Sequence, residues 1–317
     1  MKEIGGYIEF EQYHGDMLHK DAIALNCGRN CLTYLFRSRK IKKLKVPYFI
    51  CNSIYNVCDR EGIDKRYYHI GNDFKPTDDL TLADDEWLYL VNLYGQISND
   101  EIQTYVDKYH RVIVDQANDY FAVPLANVDT FYTCRKWFGV ADGAFLYTDY
   151  SLSEEFPQDE SFDRMEFLLG RYERTANEFY DGYKENNKYF IDQPIKKMSK
   201  LTNNLLHGID YRAVEGRRRK NFKYLHKRLG GLNKLSLTTG TFMYPLMIDR
   251  GAKVRQILQT EKIFIPVLWP TVFEVTSEDA LEYKMAENIL PLPVDQRYGV
   301  DEMKYMSDRI LELLEVK

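Results

Sequence analysis

The sequence lacks several features that mark particular classes of protein. No apolar run approaches the roughly 20 residues that a membrane-spanning helix needs. The first six residues (MKEIGG) contain no apolar segment, so we expect no secretory signal peptide. The sequence has no pair of CxxC motifs, and its six histidines show no metal-ligand spacing. We therefore predict a protein that binds no metal and does not enter a membrane.

Cysteine is also scarce, and the chain has no excess of positive charge. The chain of 317 residues has five cysteines, an odd number that does not suggest a disulfide framework. We expect reduced thiols and a cytoplasmic location. The net charge of −5 argues against a nucleic-acid-binding protein, which would need a basic surface. One basic run, residues 37–45, is interpreted as the solvated end of a helix, where cations meet the helix dipole favourably.

Short apolar runs alternate with helical patterns through the first 150 residues. The run 87–91 (WLYLV) is almost continuously apolar, which is typical of a strand buried on both faces. This alternation predicts an α/β fold with a mainly parallel sheet sandwiched by helices. Beyond residue 150 we expect a helical region at 163–188, a helix at 213–229 with residues 217–220 on a solvated face, and a strand at 263–266. We divide the chain into a large domain, 1–194, and a smaller C-terminal α+β domain, 195–317.

A lysine lies between two aromatic-rich segments in residues 129–148 (DTFYTCRKWFGVADGAFLYT). Lys136 is followed by a loop with two glycines and then by a short apolar strand. Upstream, the apolar strand 111–118 (RVIVDQAN) delivers Asp115 near its end. A lysine amine can bond to the aldehyde of pyridoxal 5′-phosphate, and a carboxylate can hold the ring nitrogen of that cofactor protonated. Each residue alone is more often a solvated lysine or a turn aspartate, but their order favours the cofactor.

These segments resemble the pyridoxal phosphate-dependent nucleotide-sugar aminotransferases of the DegT/StrS type, which have the aspartate aminotransferase fold. The resemblance covers most of residues 1–150 and rests on four segments: 26–32 (NCGRNCL), 91–95 (VNLYG), 114–118 (VDQAN) and 133–144 (TCRKWFGVADGA). It implies that Lys136 bonds to the cofactor and then acts as general base, and that Asp115 binds the ring nitrogen. It also implies a homodimer with the cofactor near the subunit interface.

The resemblance implies that the cofactor phosphate lies at the start of a helix. Gly28, Arg29 and Asn30 follow a short strand and begin a helix whose first N–H groups point outward. A plain glycine turn is the alternative. Thr133 stands where many relatives have a serine that binds the phosphate. The asparagine that the partner subunit usually contributes to the phosphate has no match near residues 196–199.

Two further cofactor contacts are implied around the ring. Asn118 stands where relatives often place a glutamine near the ring hydroxyl. Cys51 occupies the position of the residue that covers the ring, where relatives usually carry an aromatic side chain. Tyr48 and Tyr94 are therefore alternative sources of a stacking ring.

The implied activity is transfer of an amino group from an amino acid, with glutamate as the expected donor, to a keto-sugar nucleotide. The alternatives are another enzyme on the same fold, such as a lyase or dehydratase, and a non-catalytic binding module. In the family the dehydratase usually replaces the lysine with histidine, and a binding module would lose Lys136 or Asp115. Arg297 is predicted to bind an anionic group of a substrate. A surface ion pair with Asp295 or Asp301 is the more common situation for such a residue.

Overall fold

The computed structural model describes residues 4–315, which form nine strands and eleven α-helices. The strands are β1 (Ile23–Leu25), β2 (Lys43–Pro47), β3 (Asp64–Tyr68), β4 (Glu86–Val91), β5 (Val112–Asp115), β6 (Asp129–Thr133), β7 (Ala144–Tyr147), β8 (Met243–Met247) and β9 (Ile289–Pro293). The helices are α1 (Gly28–Ser38), α2 (Asn52–Glu61), α3 (Asn99–Tyr109), α4 (Glu166–Glu173), α5 (Tyr180–Tyr189), α6 (Lys200–His207), α7 (Tyr211–Leu229), α8 (Gly251–Thr260), α9 (Val272–Val275), α10 (Leu281–Asn288) and α11 (Val300–Glu315).

The main sheet has seven strands in the order β1-β7-β6-β5-β4-β2-β3. Strand β7 is antiparallel to both of its neighbours, and the other adjacent pairs are parallel. Every strand except β7 therefore points the same way, and their carboxyl ends meet at one edge. Ligands of such sheets bind beyond that edge.

The central strands of the sheet are buried along nearly their whole length. In β4 only Trp87 is partly exposed, and every residue of β5 is buried. Strands of this kind require cover on both faces, which explains why they appear in the sequence as continuous apolar runs. The prediction of an α/β fold with a mainly parallel sheet is confirmed.

A second, two-stranded sheet lies in the C-terminal part of the chain. Strands β8 and β9 are antiparallel, with Met243 opposite Pro293 and Met247 opposite Ile289. Their inner side chains form a hydrophobic cluster with α7, α8 and α11 that is separate from the cluster around the main sheet. The segment before α6 contacts the main sheet directly, since the amide of Met198 donates to the carbonyl of Ala24 at 3.1 Å. A domain boundary at 194/195 stays a prediction.

Some expectations from the sequence are wrong. The solvated face expected for residues 217–220 is one of them, because Arg218 is buried. Residues 163–188 do not form one helical region, because α4 and α5 fold against each other and leave 174–179 irregular. Gly170 permits this hairpin, since a Cβ there would lie 2.3 Å from the ring of Phe179. Residues 263–266 are not a strand. Their backbone bonds to the end of α8 instead: the amide of Ile263 donates to Leu258, and Gln259 donates to the carbonyl of Ile265.

Two further features are missing from residues 4–315. No helix there is long and apolar enough to cross a membrane. The same residues contain no group of three histidine, cysteine or acidic side chains arranged to hold a metal ion.

Candidate active site

Asp115 and Lys136 lie at the ends of two neighbouring strands, at the carboxyl edge of the main sheet. Asp115 is the last residue of β5 and lies opposite Phe131 of β6, while Lys136 occupies the turn that follows β6. The Lys136 side chain is exposed, and its Nζ lies 5.6 Å from the centroid of the Phe242 ring. Its charge acts on Asp115, where it opposes the effect of burial on the carboxyl pKa. The fold thus brings together the amine and the carboxylate that the sequence singled out.

The Asp115 carboxylate is buried and held in a fixed orientation. Only 6% of the residue is exposed. Its Oδ2 accepts a hydrogen bond of 2.6 Å from the Tyr89 hydroxyl, and its Oδ1 accepts one of 2.8 Å from the amide of Ala117. Burial raises the pKa of Asp115, although Lys136, Tyr89 and Ala117 each favour the ionised form. A cationic ring nitrogen at this place would compensate for the buried charge.

The turn that carries Lys136 is anchored on both sides. After the lysine, the Trp137 indole N–H donates to the carbonyl of Ala117 at 3.1 Å, two residues beyond Asp115. Before it, the amide of Cys134 donates to the carbonyl of Gly143 at 3.0 Å. Gly143 has a φ of +114°, and a Cβ there would lie 3.1 Å from Cys134, so a side chain at this position would be strained. The lysine therefore projects from a turn whose ends are fixed.

The start of α1 lies against the end of β6. A Cβ on Gly28 would be 2.8 Å from the Thr133 methyl group, so only glycine allows this approach. The first N–H groups of the helix have no intrahelical acceptor and carry the positive end of its dipole. Two buried polar atoms here, Arg29 Nε and Thr133 Oγ1, have no hydrogen-bond partner among residues 4–315. This combination of donors suits a phosphate group.

Arg135 adds a second guanidinium near Arg29 and was missed by the sequence reasoning. It donates to the side chain of Asn187, and its Cζ lies 4.6 Å from the centroid of the Phe190 ring. Burial, with a smaller contribution from the charge of Arg29, lowers the pKa of Arg135 to about 10. Within the described part of the chain, neither arginine forms a salt bridge with a carboxylate. The one feature of the sequence that could have pointed to Arg135 is that it directly precedes Lys136.

Asn30 and Asn118 are both buried and both bonded within the protein. The Asn30 amide donates to Asn26 Oδ1 at 2.7 Å and to the carbonyl of Pro194 at 2.8 Å, so both of its N–H bonds are used by the fold. Asn118 Oδ1 accepts a long bond of 3.4 Å from the amide of Tyr94. The cofactor contact predicted for each stays a prediction, and the geometry favours it less for Asn30.

The residue that would cover the cofactor ring stays unassigned. Cys51 caps the start of α2 at the carboxyl edge of the sheet, with its Sγ 3.0 Å from Ser53 Oγ. The ring of Tyr48 stacks on Tyr67, with centroids 4.8 Å apart. Tyr94 is buried, and its ring centroid lies 6.2 Å from that of Phe242. Cover of the ring by Cys51 stays a prediction, and Tyr48 already stacks on Tyr67.

Arg297 forms the ion pair that was the alternative to substrate binding. Its Nε and Nη2 donate to the two carboxylate oxygens of Asp295 at 2.6 and 2.9 Å. The Arg297 side chain is half exposed. A role in substrate binding stays a prediction, and an incoming anion would have to compete with Asp295.

No protein-family model matches the sequence, and no curated protein matches it either. The fold is nevertheless that of aminotransferases. It matches the sugar aminotransferase CalS13 from Micromonospora echinospora with a TM-score of 0.63 and 14% identity over 92% of this chain and 87% of the other. It matches NtdA from Bacillus subtilis, solved with bound PMP, with a TM-score of 0.66 and 12% identity over 93% and 73%. It also matches a DegT DnrJ EryC1 StrS aminotransferase from Brucella abortus, with a TM-score of 0.59 and 14% identity over 92% and 85%.

Proposed function

We propose that this protein is a pyridoxal phosphate-dependent aminotransferase that moves an amino group from an amino acid, with glutamate as the expected donor, to a keto-sugar nucleotide. One observation carries the proposal. Lys136, Asp115 and the start of α1 lie at one edge of the sheet, and they offer an amine, a buried carboxylate and an anion site. These are the three groups that the aldehyde, the ring nitrogen and the phosphate of this cofactor require.

Each residue has a task that follows from its surroundings. When bound, the cofactor withdraws electrons from the α-carbon of an attached amine. With the cofactor bound, Asp115, held by Tyr89 and Ala117, would keep the ring nitrogen protonated. Lys136 would hold the cofactor covalently and would act as general base for the α-proton. Its side chain is exposed.

The anion site supports phosphate binding by this chain's own residues. Arg29 Nε and Thr133 Oγ1 are buried donors that have no acceptor among the described residues. Arg135 contributes a second positive charge close to Arg29. Two guanidinium groups could supply the hydrogen-bond donors that relatives complete with a partner asparagine. The match to a sugar aminotransferase and to a structure with bound PMP agrees with this choice of substrate and cofactor.

A single half-reaction tests the activity. The purified protein is loaded with pyridoxal 5′-phosphate, freed of excess cofactor and mixed with glutamate in the absence of a sugar acceptor. We expect the visible absorbance of the bound cofactor to disappear and up to one 2-oxoglutarate to form per site, with pyridoxamine phosphate as the other product. Addition of a keto-sugar nucleotide should return the absorbance and yield the amino sugar.

The alternatives predict different results in the same assay. A lyase or dehydratase would release ammonia or a cleaved or dehydrated product and would turn over without a keto acceptor. A non-catalytic module would retain no cofactor. Cofactor binding without keto-acid formation from any common amino acid would overturn the aminotransferase assignment.

We also propose a homodimer. The N-terminal arm, residues 4–13, exposes apolar side chains, with Ile4, Tyr7 and Ile8 each more than 90% exposed. The arm is nevertheless tied to α6, since the amide of Tyr13 donates to Asn204 Oδ1 at 2.8 Å. A second copy that covers the arm would bury this surface. Analytical ultracentrifugation at micromolar concentration should show a dimer, and a fully active monomer would contradict the proposal.

The free state of the cysteines supports a location in a reducing compartment such as the cytoplasm. All five cysteines are free, and Cys27, Cys31, Cys58 and Cys134 are buried. Burial raises the pKa of each of these four thiols, which makes them poor thiolates. Titration of unfolded, purified protein with a thiol reagent should find five thiols per chain.

A further inference from the structure

We propose that Arg218 and Gln296 are positioning residues that hold the turn carrying Lys136 in its reactive geometry. The inference rests on the proposed function and deepens it. Both residues lie in the C-terminal part of the chain, and neither contacts the reacting groups. They act through the carbonyl of Trp137, the residue that follows the lysine.

The Trp137 carbonyl accepts two hydrogen bonds from these side chains. Arg218 Nη2 donates to it at 3.2 Å, and Gln296 Nε2 donates to it at 2.8 Å. The two donors are joined, because Arg218 Nε donates to Gln296 Oε1 at 2.8 Å. Together with the indole bond to Ala117, these contacts fix the backbone directly after Lys136 from both sides.

Arg218 also holds the surface on which the lysine lies. Its Nη1 donates to the carbonyl of Thr241 at 2.9 Å and makes a longer contact of 3.5 Å to that of Phe242. The Phe242 ring is the one that the Lys136 amine approaches. The guanidinium lies 4.5 Å from the centroid of the Trp137 ring. Arg218 therefore contacts both Trp137, which follows Lys136, and Phe242, whose ring lies near the Lys136 amine.

The burial of Arg218 is costly unless these bonds are made. The residue is 2% exposed, and burial lowers the pKa of its guanidinium to about 10. It belongs to no salt bridge in the range 4–315, so its charge is met by carbonyl and amide oxygens. An apolar side chain of similar length would fill this space without the desolvation cost. A guanidinium is needed here because it donates to three acceptors at once, Gln296 Oε1 and the carbonyls of Thr241 and Trp137.

Gln296 is itself held by the helix that carries Arg218. Asn221, one turn further along α7, donates through Nδ2 to the carbonyls of Val294 and Tyr298 at 3.1 and 2.9 Å. These two carbonyls flank Gln296 on either side. Helix α7 therefore carries one donor, Arg218, and binds the segment that carries the other, Gln296.

The test compares Arg218→Met and Arg218→Lys with Arg217→Met, an exposed neighbour on the same helix. Hydrogen exchange of the cofactor-free proteins measures how firmly residues 134–143 are held. The rate at which borohydride fixes pyridoxal 5′-phosphate on Lys136 measures the reactive geometry. In Arg218→Met we expect amides of the turn to exchange about tenfold faster or more, because hydrogen bonds to a charged group are lost.

We expect the same variant to lose about 10–100-fold in the rate of capture on Lys136 and in the limiting single-turnover rate of the glutamate half-reaction, with the half-saturating glutamate concentration within about threefold. Arg218→Lys should recover part of the rate, since an ammonium can reach some of the same carbonyls. Arg217→Met should match the wild type. If Arg218→Met does not fold, Gln296→Leu removes one donor to Trp137 while Arg218 keeps its carbonyl partners, and a smaller loss of the same kind is expected.

Two failures are distinguishable. If the wild type captures no cofactor, the proposed function fails. If the wild type captures it and the folded Arg218→Met or Gln296→Leu protein captures it equally fast with unchanged exchange, the function stands and the positioning role is overturned. A loss of rate that follows the loss of thermal stability and is not recovered by Arg218→Lys would also overturn it, because that pattern indicates a structural role alone.

Discussion

Helix α1 and strand β6 lie against each other, so the end of α1 meets the start of β6 and the start of α1 meets the end of β6. The charged side chains at these two places are bonded in different ways. At the first place, Arg39 caps α1 and donates to both carboxylate oxygens of Asp129, the first residue of β6, at 2.8 and 2.9 Å. The ring of Tyr150 covers this guanidinium at 3.6 Å. At the second place, Arg29 begins α1 beside Thr133, the last residue of β6. Arg29 Nε and Thr133 Oγ1 are buried without an acceptor between residues 4 and 315.

Under the proposed function, the contacts of Arg39 stabilise the fold, and the Arg29 end is completed by the cofactor phosphate. A guanidinium that meets a buried carboxylate through two bonds is fully used within the protein. A buried donor without an acceptor costs folding free energy, and such a cost is retained where a ligand provides the acceptor. Changes at the Arg39 end should therefore affect stability, and changes at the Arg29 end should affect cofactor binding.

The largest expected effect is at Lys136. Lys136→Ala should lower the rate of amino transfer by at least roughly 10²–10⁴-fold, because it removes both the covalent attachment and the general base. The free energy of unfolding should change by less than about 0.5 kcal/mol, since the side chain is exposed. Single-turnover kinetics and thermal unfolding measure the two quantities. Lys223→Ala, an exposed lysine on α7, is the matched control and should behave like the wild type.

Asp115→Asn should slow the glutamate half-reaction by about 10²–10³-fold, because a neutral amide cannot keep the ring nitrogen protonated. The cofactor-free variant should be at least as stable as the wild type at pH 7. Folding raises the pKa of Asp115, so the folded chain binds its proton more tightly than the unfolded chain does. Ionised Asp115 therefore destabilises the folded protein, and this destabilisation grows as the pH rises above the unfolded pKa of about 3.9. Near-normal turnover, or a large loss of stability, would assign Asp115 to the fold instead.

Arg29→Gln and Arg39→Gln test the two ends of α1 directly. Arg29→Gln should weaken cofactor binding by about 10–100-fold and leave the stability of the cofactor-free protein nearly unchanged, because it removes a charge-assisted bond to the ligand alone. Arg39→Gln should cost about 3–5 kcal/mol of stability, because Asp129 stays buried without its partner. Cofactor titration and denaturant unfolding of both variants provide the comparison. Equal effects of both variants on both measurements would remove the distinction.

The smallest expected effect is a pH dependence at a buried group whose bonds are all internal. His19 Nε2 lies 2.9 Å from the carbonyl of Tyr120, so it carries the proton, and Nδ1 accepts from the Tyr147 hydroxyl at 3.1 Å. Burial lowers the pKa of His19 to about 4, below its unfolded value of about 6.5. The unfolded chain therefore takes up the proton first, and up to about 3 kcal/mol of stability is lost as pH falls from 6.5 towards 4.

His19→Gln should flatten this part of the stability curve without changing cofactor affinity at pH 7.5. Urea unfolding at pH 4.5, 5.5 and 6.5 measures the slope. An unchanged slope in the variant would place the titration elsewhere.

The parts of the fold and site with local signals were predictable. Strand β5, which is buried on both faces, appears in the sequence as an apolar run, and β6 appears as an aromatic-rich segment, so the ends of both could be located. Asp115 and the turn with Lys136 follow from those ends. The split of α4 and α5 was not predictable, because it depends on contact between Gly170 in α4 and the ring of Phe179, which directly precedes α5.

Contacts between distant parts of the chain left no pattern to detect. Arg218 was expected on a solvated face because it stands in a run of basic residues, yet it is buried. It reaches Trp137 across 81 positions of sequence, and Gln296 reaches the same carbonyl across 159. Hydrophobic periodicity cannot signal such a residue, since a buried guanidinium is recognised only from the carbonyls that surround it.

The most direct measurement of the central claim is the site of cofactor attachment. The purified protein is incubated with pyridoxal 5′-phosphate, reduced with borohydride, digested and analysed by peptide mass spectrometry, with Lys136→Arg treated in parallel. The account predicts close to one phosphopyridoxyl group per chain, located on Lys136 and missing from the variant. A label on another lysine, or equal scattered labelling of both proteins, would contradict it.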